Sequence, residues 1–327
     1  MNRIGYIGSK YKLKDWIFGE IQKRTDSTYT KFADLFAGSC IMTHEALERK
    51  YECFSNDLEP YSHIIANGLK CDFTPRVKSI VDEINNSNGT LVGFITNTYS
   101  PKAGRLFFTE ENAMRIDYIR NAIENMKTTL DENIYFFLLA SLITSADAVK
   151  NTSVVYGAYL KKVKKTAIAP LVFKPIHTRN SDVNLITSCN DATKLSIVID
   201  VAYIDPPYNN RQYGSNYFIL NQIIDPQTAG EGVTGISDYN KSSFCYKKEV
   251  ENAFNMLLSN IKARMFVISY NSESLISKGD MIALLTKYGR CEVIEREYKR
   301  FKAQQETESN KVMEFLFFVH ISSDIRV

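Results

Sequence analysis

Two hydrophobic periods alternate along the first part of this chain. In "KLKDWIFGEIQKR" the residues Leu13, Trp16, Ile17 and Ile21 recur at helical spacing, whereas "FADLF", Phe32 to Phe36, is the short continuous run that a buried strand makes. After Gly38 the helical period returns in "IMTHEALERK" and gives way to the strand-like "ECFSND". It then resumes in "EPYSHIIANGL", where Tyr61, Ile64, Ile65 and Leu69 fall on one face. Strands that alternate with helices pair in parallel, with the helices as crossovers, so the pattern predicts an α/β fold on a mostly parallel sheet.

From about Phe73 to Asn180 the alternation stops. "NIYFFLLASLITSADAV" reads as a strongly apolar helix set among polar, loop-rich segments, which predicts a mostly helical inserted lobe at 73–180 between sheet-forming segments 1–72 and 181–327. Strand-like runs resume in "DVNLIT" and "DVAYI", followed by a helix from about Lys248 and the strand "MFVISY". "CEVIEREYKR" and "KVMEFLFFVHI", separated by polar "FKAQQETESN", predict a terminal hairpin that adds an antiparallel strand. "DPQTAGEGVTGISDYNKSS" has the composition of a mobile loop. A length of 327 residues accommodates a main domain and a second lobe, and 44% hydrophobic with 24% charged residues is an ordinary globular composition.

The run "YIDPPYNNRQYGSNY" follows the strand "DVAYI", and the ligand crevice of an open α/β sheet lies beyond the carboxyl ends of its strands. Pro206 and Pro207 remove backbone donors and fix φ, so their carbonyls are presented without competing N–H groups. Asp205 and a neighbouring carbonyl can together accept both hydrogens of an exocyclic amine, and Tyr208 offers a flat face for a base. A strand-ending turn with a capping Asp is the lesser alternative for these residues taken alone. At the end of the second strand Asp57, in "SNDLEP", stands where an acid binds ribose hydroxyls across the crevice, although a helix-capping Asp would look the same.

"DPPY" after an apolar strand, together with "FADLFAGSC" and "YIGSKYKL", resembles the α-order, Dam-like N6-adenine DNA methyltransferases, in particular those of restriction–modification systems. The resemblance covers nearly the whole chain. It implies an AdoMet-dependent, Rossmann-like methyltransferase fold with the 73–180 insertion as target-recognition lobe, and it makes Asp205, Pro206, Pro207 and Tyr208 the catalytic set. It also implies that Asp34, Leu35, Phe36, Ala37, Gly38 and Ser39 line S-adenosyl-L-methionine, with Asp57 and Leu58 beside its ribose and Asp191 and Ala192, in "CNDAT", at its adenine. Tyr6, Gly8 and Lys10 fall in the segment that folds over the cofactor's carboxylate end, and Asp205 borders the same site. Cys40 occupies the second glycine position of the family's F-x-G-x-G turn, a departure that implies a shifted loop. "VISYN" resembles the motif that walls the base pocket, so Ser269 to Asn271 would contact the base or brace the catalytic loop.

The formal net charge is only +3, so nucleic-acid binding has to rest on local clustering. Between Ala148 and Asn180 stand Lys150, Lys161, Lys162, Lys164, Lys165, Lys174 and Arg179, with no acid. Tyr156 and Tyr159 interleave with them, the mixture expected of a surface that tracks phosphates and packs on sugars or bases. Lys299 and Arg300 form a second basic group, and Arg211 and Gln212 follow the catalytic run. Double-stranded DNA is therefore the expected partner, and the resemblance to restriction–modification methylases implies a cognate restriction endonuclease acting on the same site. The amine clamp equally accepts N4 of cytosine or adenine in RNA, and a noncatalytic DNA-binding subunit on the same fold is the reading of another class. The six cysteines contain no C-x-x-C pair, which argues against zinc and for reduced thiols in a cytoplasmic protein; no metal is expected. No signal peptide is legible, and no apolar run approaches the roughly 20 residues that span a bilayer.

Overall fold

The computed structural model describes residues 4–177, 184–299 and 311–321, apart from the side chains of Tyr298, Lys299 and Lys311. Along the chain the strands are β1 (Lys31–Asp34), β2 (Glu52–Asp57), β3 (Leu185–Cys189), β4 (Val198–Ile204), β5 (Lys262–Asn271), β6 (Arg290–Lys299) and β7 (Lys311–His320). The helices are α1 (Lys14–Gln22), α2 (Ile41–Glu48), α3 (Pro60–Gly68), α4 (Pro75–Asn86), α5 (Phe94–Tyr99), α6 (Glu110–Met126), α7 (Glu132–Ala148), α8 (Lys165–Ile168), α9 (Tyr213–Ile224), α10 (Val250–Asn260) and α11 (Lys278–Leu285). These elements fall into two compact units. A sheet unit comprises Lys10–Leu58, Val183–Gln212 and Lys241–Val327, and a helical unit comprises Met1–Ser9, Glu59–Asp182 and Tyr213–Asn240.

The sheet unit holds all seven strands found among the described residues, in the order β3-β2-β1-β4-β5-β7-β6. Pairing is parallel from β3 to β5, and β7 enters antiparallel between β5 and β6, so the expected terminal hairpin is present. Along β5 successive residues face opposite sides: Phe266, Ile268 and Tyr270 join the core beneath α10 and α11, while Met265, Val267 and Ser269 face the other way and are equally buried. Burial on both faces is why "MFVISY" and "EFLFFV" read as continuous apolar runs rather than alternating ones. Phe254, Leu257 and Leu258 of α10 and Met281 and Leu285 of α11 complete that core. α11 begins with a reciprocal cap, in which Ser277 Oγ accepts from the Asp280 N–H at 3.1 Å and donates to Asp280 Oδ2 at 2.7 Å.

In the helical unit α7 is buried along almost its whole length, and α3 packs along it. Gly68 permits that approach, since a Cβ there would come within 3.0 Å of the Ala140 Cβ. This packing explains one departure from the expected boundaries: the inserted part of the helical unit begins at Glu59 rather than at 73, because the apolar face of α3 is spent on α7, and the expected sheet segment also loses Met1–Ser9 to that unit. The second departure is the segment Tyr213–Asn240, whose helix α9 packs against α3, α6 and α7. Arg120 of α6 caps α9 by donating from Nε and Nη2 to the Ile224 carbonyl at 2.9 and 2.6 Å. The expected boundary at 180 lies outside the described residues. The glycine-rich segment after α9 is tied down rather than loose: Arg105 Nη2 donates to the Gly232 carbonyl at 3.1 Å, and the Tyr99 hydroxyl to the Gly235 carbonyl at 3.2 Å.

Candidate active site

Four acids stand at the carboxyl ends of four adjacent parallel strands. Asp34 ends β1 and Asp57 ends β2, while Asp191 follows β3 and Asp205 follows β4. The strand order reverses between β1 and β4, which is where an open α/β sheet parts to leave a crevice. The backbone there is fixed in register, with Asp34 opposite Tyr203 and the Leu35 N–H donating to the Tyr203 carbonyl at 3.1 Å.

The turn after β1 is built from small, buried residues. Ala37 N donates to the Asn56 carbonyl at 2.9 Å, and Gly38 N to Asp57 Oδ2 at 2.7 Å. Gly38 has φ 52°, in the left-handed region that glycine takes without steric cost. Cys40 has φ 57° and ψ 25° and is fully buried, so the residue standing in the glycine position adopts the glycine-like conformation itself. Asp34 Oδ2 accepts from the backbone N and the hydroxyl of Thr43. Burial raises its pKa to about 7 against those bonds, with the Asp205 and Asp57 charges adding to the rise. Asn56, which the sequence reading passed over, donates from Nδ2 to the Leu35 and Asn190 carbonyls at 3.1 and 3.0 Å and so joins the turn after β1 to the one after β3. Asp191 Oδ1 accepts from N and Oγ1 of Thr193, capping a short 3-10 turn that carries buried Ala192.

Asp205 lies beyond β4 on the face that carries Val201 and Tyr203, by the alternation of the strand. Its Oδ1 is 2.9 Å from Lys10 Nζ, which is also 3.1 Å from Glu314 Oε1. Burial opposes the ammonium, but the charges of Asp205 and Glu314 prevail and hold Lys10 protonated well above its ordinary range. Burial lifts Asp205 to about 6, Lys10 pulls it down, and Glu314 pushes it up, so the carboxylate is the prevailing form at neutral pH. Glu314 was also missed in the sequence. Its signal was the single acid within "KVMEFLFFVH", since a charge buried among apolar residues is rarely left without a partner. Pro206 is buried, and Tyr208 packs on the sheet core while its carbonyl accepts from the Leu275 N–H at 3.1 Å.

The other expected site residues divide into accessible and committed groups. Gln212 is buried and braces Ser242, donating to its carbonyl at 3.2 Å and accepting from its N–H at 2.8 Å, which corrects its expected part in reading bases; Arg211 is exposed. Within the helical unit Lys150 and Tyr156 are buried against Asp147, whose Oδ1 accepts from Lys150 Nζ at 2.6 Å and from the Tyr156 hydroxyl at 3.0 Å. These two belong to a core network and not to a basic surface. Tyr159 is half-buried and donates to the Gly104 carbonyl, and Lys164 donates to the Thr152 carbonyl at 2.7 Å. Lys161, Lys162 and Lys165 are exposed. Asp147 Oδ2 also accepts from the Gly5 N–H, while the Tyr6 ring stacks on Tyr217 with centroids 4.8 Å apart and Gly8 turns the chain at φ 75°. Arg179 and Arg300 lie outside the described residues, as does the side chain of Lys299. The cysteines are all free, and no described helix is long and apolar enough to cross a membrane.

A model of the D12 class N6 adenine-specific DNA methyltransferases matches residues 6–284. Type II methyltransferase M.CviAII of Paramecium bursaria Chlorella virus 1 is 64% identical over 324 residues, covering 98% of this chain and 99% of that protein. Type II methyltransferase M.NlaIII of Neisseria lactamica is 34% identical over 331 residues, covering 97% and 98%. Type II methyltransferase M.FokI of Planomicrobium okeanokoites is 34% identical over 339 residues, covering 96% of this chain and 52% of that protein.

Proposed function

From the premise that this chain belongs to the D12 class N6 adenine-specific DNA methyltransferase family, we propose how its residues carry out that reaction. The observation that carries the reading is Asp205, an ionised acceptor held by Lys10 at the end of β4 and followed directly by Pro206, Pro207 and Tyr208. An adenine rotated out of the duplex stacks on Tyr208 and donates its N6 hydrogens to the Asp205 carboxylate and the Pro206 carbonyl. Those bonds draw the N6 lone pair out of conjugation with the ring. They also hold the amine in one orientation, which is the main service a site can give to a weak nucleophile.

The turn from Asp34 to Cys40 fits the amino-acid end of S-adenosyl-L-methionine, because its small residues let backbone approach closely and Gly38 is anchored by Asp57. Asp57 and Leu58 would hold its ribose and Asp191 with Ala192 its adenine, while Lys10 would lie at its carboxylate end. When bound, the cofactor supplies the electrophilic methyl group.

Target recognition is assigned to the helical unit, with Lys161, Lys162 and Lys165, and Arg211 of the sheet unit, as phosphate contacts on duplex DNA. The type II names of the relatives support a role in protecting DNA from a cognate restriction endonuclease. The mechanism is tested by Asp205→Ala: turnover falls by several orders of magnitude with DNA affinity kept. Near wild-type turnover in the folded variant would refute the mechanism.

A further inference from the structure

Glu314 lies on β7, outside every motif read in the sequence, and is 4% exposed. The β5–β7 register sets it opposite Asn271, so it shares a face of the sheet with Ser269 one diagonal step away. The Ser269 hydroxyl donates to Glu314 Oε1 at 2.6 Å, and the same oxygen lies 3.1 Å from Lys10 Nζ. Lys10 reaches Asp205 Oδ1 at 2.9 Å. One ammonium is thus shared between the acid of the amine clamp and a second acid that has its own hydrogen-bond anchor.

A buried carboxylate is costly unless it is paired, so a second acid beside Lys10 needs a reason. Paired with Asp205 alone, Lys10 would be free to swing toward it and occupy the acceptor directions that the substrate amine requires. A carboxylate has about four such lone-pair directions. Held from both sides, the ammonium has one position. We infer that Glu314 is a positioning residue for methyl transfer: fixed by Ser269, it divides the Lys10 ammonium between two carboxylates and thereby keeps Asp205 aimed at the amine. This rests on the adenine-methylation reading of the same site.

The charged and titratable groups acting on Asp205 are Lys10 of the 3-10 turn Lys10–Lys12, Tyr203 of β4, Glu314 of β7 and Asp34 of β1. Glu314→Gln keeps the shape and an acceptor for Ser269 but removes one charge. The single-turnover rate should then fall roughly tenfold with Kd for DNA unchanged. The acid limb of the pH–rate profile should move to lower pH, because a negative neighbour of Asp205 has gone. A carbon-13 titration of the Asp205 carboxyl, which needs no turnover, should show the same downward move. Ser269→Ala, which leaves the charge in place, should lower the rate less and leave the acid limb where it is. Wild-type rate and wild-type midpoint in Glu314→Gln would overturn the inference. If that variant does not fold, Ser269→Ala decides: a reduced rate at unchanged DNA affinity supports the inference, and a wild-type rate overturns it. Absence of methyl transfer by the wild-type protein would instead sink the functional reading, and the carboxyl titration would still decide for or against Glu314.

Discussion

Asp34 Oδ2 accepts both the backbone N–H and the hydroxyl of Thr43, at 3.0 and 2.8 Å, and so joins the end of β1 to the first turn of α2. Its folded pKa is raised from 3.8 to about 7, so between those values the native state holds a proton that the unfolded chain has released. The sign follows directly: the contribution of Asp34 to stability is greatest on the acid side and declines as pH rises through about 7. Asp34→Asn retains an acceptor and cannot ionise. Urea titrations at a series of pH values should show the variant gaining on wild type, on the order of a few kcal/mol, between about pH 4 and 8.

In the proposed mechanism Asp205 accepts as a carboxylate, and burial is the chief cause that lifts it to about 6. The rate of methyl transfer should therefore climb with pH through about 6 and level off above it. Lys10→Met removes the charge that pulls Asp205 down, so the same limb should move upward in pH. Single-turnover rates from pH 5 to about 8.5 check both statements.

Cys40 holds a left-handed backbone at φ 57°, a conformation that costs a residue with a Cβ roughly 1–2 kcal/mol. A β-branched side chain fits it worse still. Cys40→Val should lose stability by about 2 kcal/mol or more and weaken cofactor binding, whereas Cys40→Gly should bind the cofactor like wild type. Denaturant melts and calorimetric titration with S-adenosyl-L-methionine separate the two variants.

The basic run of the helical unit should split in its behaviour. Replacing exposed Lys161, Lys162 and Lys165 with Ala should leave stability within about 0.5 kcal/mol and lower the salt dependence of DNA binding, each lost phosphate contact removing about 0.9 from the log–log slope. Lys150→Ala should cost roughly 3–5 kcal/mol, because it leaves the buried Asp147 carboxylate without its counter-charge. Melting curves beside filter-binding at several salt concentrations measure both effects.

The sheet was legible because its strands are buried on both faces and its helices carry clean apolar stripes, as in "DVAYI" and in α10 with Phe254, Leu257 and Leu258. α11 was missed, since Gly279 in its first turn weakens the helical pattern, although Ser277 and Asp280 spell a cap. The order of motifs located the strand-end acids. What local pattern could not give was partnership: Lys150, Tyr156 and Gln212 looked like surface residues because Asp147 and Ser242, which occupy them, are identified only by the fold. Glu314 was hidden for the same reason, being distant in sequence from both Lys10 and Asp205.

The most direct test of the central claim is transfer of labelled methyl from S-adenosyl-L-methionine to a mixed-sequence duplex, followed by nucleoside analysis of the product. Label recovered as N6-methyladenine in DNA is the predicted result. Label found only as N4-methylcytosine, only in RNA, or in no nucleic acid despite cofactor binding would contradict it.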